Sequence, residues 1–90
     1  MGRYLVERSF PEGVRISVND EGAAMCRRIA LNNAEEGVTW IHSYVSGDRN
    51  KTYCICDAPS PEAIRRASRR NNFPIDRITD VRILNPYFYH

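Results

Sequence analysis

The sequence is short of lysine, histidine and long apolar runs, and each shortage narrows what the chain does. Lys51 stands alone beside twelve arginines, and thirteen basic against eleven acidic residues leave a formal net charge of +2. Charge this close to balance demands neither a nucleic-acid nor a membrane partner. The arginine bias fits a GC-rich bacterial genome. No apolar run approaches the roughly 20 residues of a membrane helix, and Met1-Gly2-Arg3-Tyr4 lacks the apolar stretch of a signal peptide. A cytoplasmic protein without membrane contact is therefore expected. Cysteine is odd in number, at Cys26, Cys54 and Cys56, which favours reduced thiols over a disulfide framework. There is no glycine-rich phosphate loop, no His-Glu-x-x-His pair and no Ser/His/Asp spacing for a hydrolytic triad. What remains, with 42% hydrophobic and 27% charged residues, is one domain over residues 1–90 with a single modest core.

Turn-forming residues divide the chain. Tyr4 to Arg8 alternates with period two and stops at Pro11-Glu12-Gly13, a first strand. From Ser17 to Glu36, Val18, Gly22, Met25, Cys26, Ile29 and Asn33 recur at helical spacing, with Asp20-Glu21 at the start and Gly37 at the end. Val38 to Ser46 and Thr52 to Ala58 flank the turn Gly47-Asp48-Arg49-Asn50-Lys51 and read as a hairpin. Ser60-Pro61-Glu62 opens a second helix that runs to about Asn72, and Arg77 to Leu84 forms a last strand. The order βαββαβ predicts an α+β, ferredoxin-like domain: a four-stranded antiparallel sheet in the order 4-1-3-2 with two helices on one face.

Alternation along the strands then sorts residues between the faces. One set holds Tyr4, Val6 and Arg8, Trp40, His42 and Tyr44, and Tyr53, Ile55 and Asp57. The other holds Leu5, Glu7 and Ser9, Ile41, Ser43 and Val45, and Cys54, Cys56 and Ala58. Neither set is polar, so both faces need cover, and a second copy packed sheet to sheet supplies it. The aromatic set, Tyr4, Val6, Trp40, His42, Tyr44, Tyr53 and Ile55, is assigned to that homodimer interface. The small residues fall beneath the helices and leave room for a small-ligand pocket involving Glu7, Ser43, Cys54 and Cys56.

Tyr4-Leu5-Val6-Glu7-Arg8, Trp40-Ile41-His42-Ser43-Tyr44-Val45, Tyr53-Cys54-Ile55-Cys56-Asp57-Ala58-Pro59 and Phe73-Pro74-Ile75-Asp76-Arg77-Ile78 together resemble a family of small bacterial domains of unknown function (DUF4242-like). Some of its members are described as nickel-binding. The resemblance spans nearly the whole chain and implies a ferredoxin-like dimeric α+β barrel. The nickel-binding branch carries Asp-Arg-His where this chain has Glu7-Arg8-Ser9, and histidines where it has Ser68 to Asn72. Glu7 and Cys54 match the pattern; Ser9 and the helix do not.

The candidates carry distinct chemistry. Glu7, mid-strand on an otherwise apolar face, would serve as a ligand anchor, or as the acid or base of a cofactor-free isomerase or monooxygenase. Its plain alternative is an ion pair or hydrogen bond to Arg77, Ser43 or a neighbouring backbone group. Glu7, Cys54, Cys56 and Cys26 would make a sulfur-rich site for nickel or another transition metal, without support from the branch's histidine positions. Against this, buried free cysteines commonly act as small hydrophobes. Arg65, Arg66, Arg69 and Arg70 read as a solvated helix face. An RNA-binding sheet would need Tyr4 and Tyr53 exposed together for base stacking. His90 is given no role, and the tail Tyr87, Phe88 and Tyr89 is too apolar to stand free in water.

Overall fold

A computed structural model describes residues 1–16 and 18–88 of the chain. The helix start expected at Ser17 and the tail residues Tyr89 and His90 fall outside the described residues. Six main elements follow in order: β1 (Gly2–Ser9), α1 (Asp20–Glu35), β2 (Thr39–Val45), β3 (Lys51–Ala58), α2 (Pro61–Asn71) and β4 (Arg77–Asp80). A short 3-10 turn, Pro86–Phe88, ends the description. The four strands form one antiparallel sheet in the order β2-β3-β1-β4, which is the ferredoxin-like arrangement expected. No helix among the described residues is long and apolar enough to cross a membrane.

Local chemistry sets the helix ends. Asn19, two residues later than the expected start, caps α1 by accepting from the Gly22 amide at 3.1 Å. At the other end Gly37, at φ 72°, lets its own amide reach the Ala34 carbonyl and the Val38 amide reach Asn33. Ser60 caps α2, Pro61 opens it, and Asn72 closes it in the left-handed region at φ 58°. Val18, assigned to the inner stripe of α1, precedes the cap and is fully exposed. In the hairpin, Asp48 accepts from the Ser46 hydroxyl and the Asn50 amide, which holds its carboxyl below the usual range.

The core lies between the helices and one face of the sheet. Val6, Cys56 and Ala58 from the strands meet Ala63, Ile64 and Ala67 of α2, with Val38 at one edge. Ile64 is fully buried, which contributes about 1.5–3 kcal/mol. The contribution of α1 is thinner: only Gly22, Ile29 and Asn33 of its sixteen residues are buried. Glu36, beyond its C-terminus, accepts from Arg66 and Arg70 at 2.7 and 2.8 Å and ties the helices together. Two members of the basic patch are thus paired rather than free.

The register corrects the face assignment. Directly opposed residues in an antiparallel pair share a face. β1 meets β3 with Tyr4 opposite Cys56, Val6 opposite Cys54 and Arg8 opposite Thr52. Tyr4 and Val6 therefore lie on the helix side with the cysteines, and Glu7, opposite Tyr53 and Arg77, lies on the open side. On β2 the expected pairs Ser43 with Cys54 and Tyr44 with Tyr53 form, but a bulge between Trp40 and His42 adds a residue. Trp40, opposite Cys56, turns under the helices while His42, opposite Ile55, faces outward. β4 ends at Asp80 rather than Leu84; the Val81 amide still reaches the Arg3 carbonyl at 3.0 Å, and Ile83 and Leu84 emerge exposed.

Candidate functional site

Between α1, the C-terminal end of α2 and the covered face of the sheet lies a cavity of about 40 Å³. Ile29, Trp40 and Phe73 form its apolar walls, Cys54 and Cys56 its floor, and Arg8, Asn33 and Asn71 its polar groups. The inner stripe of α1 contributes Ile29 and Asn33 to it, and Asn33 fills less space than the larger aliphatic residues usual at such positions. Larger depressions are shallow surface grooves. In the one along the start of β1, of about 430 Å³, the charged pair Arg3 and Asp57 is already mutually satisfied.

Arg8 is the unusual member. It is only 8% exposed, near the end of β1, a rare burial for a guanidinium. Its Nη1 donates to the Ser68 hydroxyl and to the Pro74 carbonyl, both at 2.9 Å, and its charge lies 5.5 Å from the centre of the Phe73 ring. Ser68 lies near the C-terminal end of α2, whose dipole favours a cation, and Pro74 lies just beyond that helix. None of the ion pairs among the described residues includes Arg8.

The neighbours are neutral. Burial pushes the Cys56 thiol up to about 11, further raised by Cys54 and partly offset by the Arg8 charge. The Asn71 amide donates to the Asn33 side chain at 3.1 Å and accepts from Asn32 at 2.7 Å, locking α1 to α2 at the cavity rim. Trp40 donates from its indole nitrogen to the Ser43 hydroxyl at 2.8 Å. Ser43 therefore orients the tryptophan and does not line the cavity.

Of the pocket set read from sequence, Cys54 and Cys56 come together and Glu7 does not. Cys26 belongs to the half-buried flank of α1 and is not part of the lining. Among the described residues no three His, Cys, Asp or Glu side chains converge as a metal-binding group. Tyr4 and Tyr53 lie on opposite faces, so the stacking platform of an RNA-binding sheet is not assembled. Of the seven expected interface residues, His42, Tyr44, Tyr53 and Ile55 share the open face, joined by Leu5. Sequence reasoning missed Arg8 and the paired asparagines. The available signal for Arg8 was a charge at the second position after Val6, on the same strand face as Tyr4.

A family model described as "Nickel responsive protein SCO4226-like" matches residues 4–81. The crystal structure of SCO4226 from Streptomyces coelicolor A3(2) superposes with a TM-score of 0.70 at 18% identity, covering 92% of this chain and 99% of that one. That likeness shows the fold. The match supports a small family of the expected kind and does not confirm the DUF4242-like label. No curated protein matches the chain.

Proposed function

The chain belongs to the SCO4226-like family of nickel responsive proteins, and within it we propose a homodimeric protein that holds a small ligand between helices and sheet. The observation that carries this reading is the cavity itself, where three polar side chains converge among apolar walls in an otherwise filled core. A volume of about 40 Å³ admits only a few water-sized atoms, so the ligand is an ion or a molecule of few heavy atoms.

The family description mentions nickel, and the donor set of this cavity does not fit it. A divalent cation would meet the Arg8 charge, the Cys56 thiol holds its proton at neutral pH, and the only carboxylate proposed as a ligand, Glu7, is across the sheet. Glu7 as the acid or base of a cofactor-free enzyme meets the same obstacle, since the sheet separates it from the cavity.

The second copy is assigned to the open face. Leu5, Tyr44, Tyr53 and Ile55 form its apolar part, and Tyr44 is 63% exposed. Glu7 and Arg77 lie side by side on adjacent strands, and no ion pair among the described residues engages either. A two-fold contact sets such a patch against its own copy, so that each acid meets a base. Native mass spectrometry of the untagged protein tests the ligand. The expected spectrum carries a small non-covalent increment that Cys54→Leu, which fills the cavity, abolishes and Glu7→Gln leaves in place. A bare protein, or an increment that follows Glu7, would overturn the reading.

A further inference from the structure

Arg3 and Arg8 give an internal standard for what a guanidinium on β1 binds. Arg3 donates from Nε and Nη2 to the two oxygens of Asp57, at 2.9 and 3.2 Å, the parallel two-bond geometry that matches a carboxylate. Asp57 is its direct cross-strand partner. The corresponding partner of Arg8 is Thr52, which has no carboxylate.

A guanidinium has five N–H donors. Arg8 directs Nη1 to Ser68 and Pro74, which leaves Nε and Nη2, the same edge that Arg3 uses on Asp57. No side chain or carbonyl among the described residues accepts from that edge. Nor is it sealed in the core, because no fully enclosed polar atom of the described residues lacks a partner. Arg8 is only 8% exposed and lines the cavity, and on that ground we assign the surface left to those nitrogens to the cavity.

The charge is also incompletely balanced. The C-terminal end of α2 supplies at most about half an elementary charge, and its last turn already carries Arg69 and Arg70. The Cys56 thiol adds none, and Asn33 and Asn71 are neutral. An uncompensated buried cation costs several kcal/mol, so a site of this kind is most stable with an anion in it.

Resting on the cavity reading above, we propose that the ligand is a small carboxylate, its two oxygens on the Nε–Nη2 edge of Arg8 and its short apolar end toward Ile29, Trp40 and Phe73. The cavity limits it to a few heavy atoms, the size of formate or acetate. A carboxylate answers the free fork as Asp57 answers Arg3.

Trp40 is the only tryptophan and lines the cavity, so its emission reports occupancy. Sodium acetate, titrated against sodium chloride at equal ionic strength, should change that emission saturably and raise the thermal midpoint. Acetamide, a neutral molecule of the same shape, should do neither. Arg8→Lys, which keeps charge but loses the fork, should weaken acetate at least about tenfold, and Arg8→Gln should abolish the response. The contrast between acetate and acetamide in the unmodified protein decides the matter even if a variant does not fold. Equal responses to both would overturn the carboxylate assignment while leaving a small-ligand cavity. A response to inorganic phosphate and not to acetate would overturn it in favour of a tetrahedral anion. No response to any of them would overturn it, and the cavity reading then stands or falls on the mass spectrum.

Discussion

The two faces of the sheet are built from the same strands and solve opposite problems. On the covered face, Val6, Cys56 and Ala58 vanish beneath α2, and the buried charge, Arg8, has no acid among the described ion pairs. On the open face, apolar side chains stay partly wet while Arg3 has Asp57. The difference teaches where an unmatched group carries meaning. An unmatched charge costs little in water and much in a core, so Arg8 points to a ligand, whereas the open face points to a protein surface.

The largest expected contrast comes from truncating equivalent aliphatic groups. Ile64→Ala, beneath the helices, should cost about 2–5 kcal/mol. Ile55→Ala, on the open face, should leave the monomer within about 1 kcal/mol of wild type while weakening self-association. Urea unfolding combined with dilution measures both. Comparable unfolding costs at the two sites would break the distinction between the faces.

A smaller effect isolates Cys56. Its thiol ionises near 9 when unfolded and at about 11 when folded, so the neutral form is favoured by the native state. Stability from this group is fully present below pH 9 and falls as pH rises toward about 11, by up to about 2–3 kcal/mol. The difference between wild type and Cys56→Ala should therefore shrink from pH 8 to pH 10.5, read by thermal melting. An unchanged difference would mean that Cys56 is wetter than its covered position implies.

The smallest effect is expected at the matched pair. The Arg3 hydrogen bonds hold the Asp57 carboxyl below the usual carboxylate range. Its contribution is present at neutral pH and disappears as pH falls through that lowered value. Asp57→Asn should erase this acid dependence and change neutral stability little, because the pair is solvent-screened. A large loss at neutral pH would show that the open face is closed by something else.

Much of the fold was legible because local signals agree. Turn residues bounded the first three strands, Ser60-Pro61 marked the start of α2, and the hairpin fixed the register of β2 on β3 over Ser43 to Val45. The parity of β1 was not legible. Its partner β3 lies more than forty residues away, no turn ties the two, and a one-residue slip exchanges Val6 for Glu7. Trp40 misled for a different reason, since the bulge at Ile41 breaks the alternation that placed it beside His42 and Tyr44. The floor of the pocket followed from the small residues Cys54 and Cys56. Its polar groups did not, because Arg8 rode with the misassigned parity, and Asn33 and Asn71 meet only once α1 and α2 are side by side.

Sedimentation velocity on wild type, Tyr44→Asp and Trp40→Asp, with circular dichroism on the same samples, tests the division between the faces most directly. The account predicts a wild-type dimer, a folded Tyr44→Asp monomer, and a Trp40→Asp chain that loses its structure. A wild-type monomer at micromolar concentration, or a Tyr44→Asp variant that remains dimeric, would contradict it.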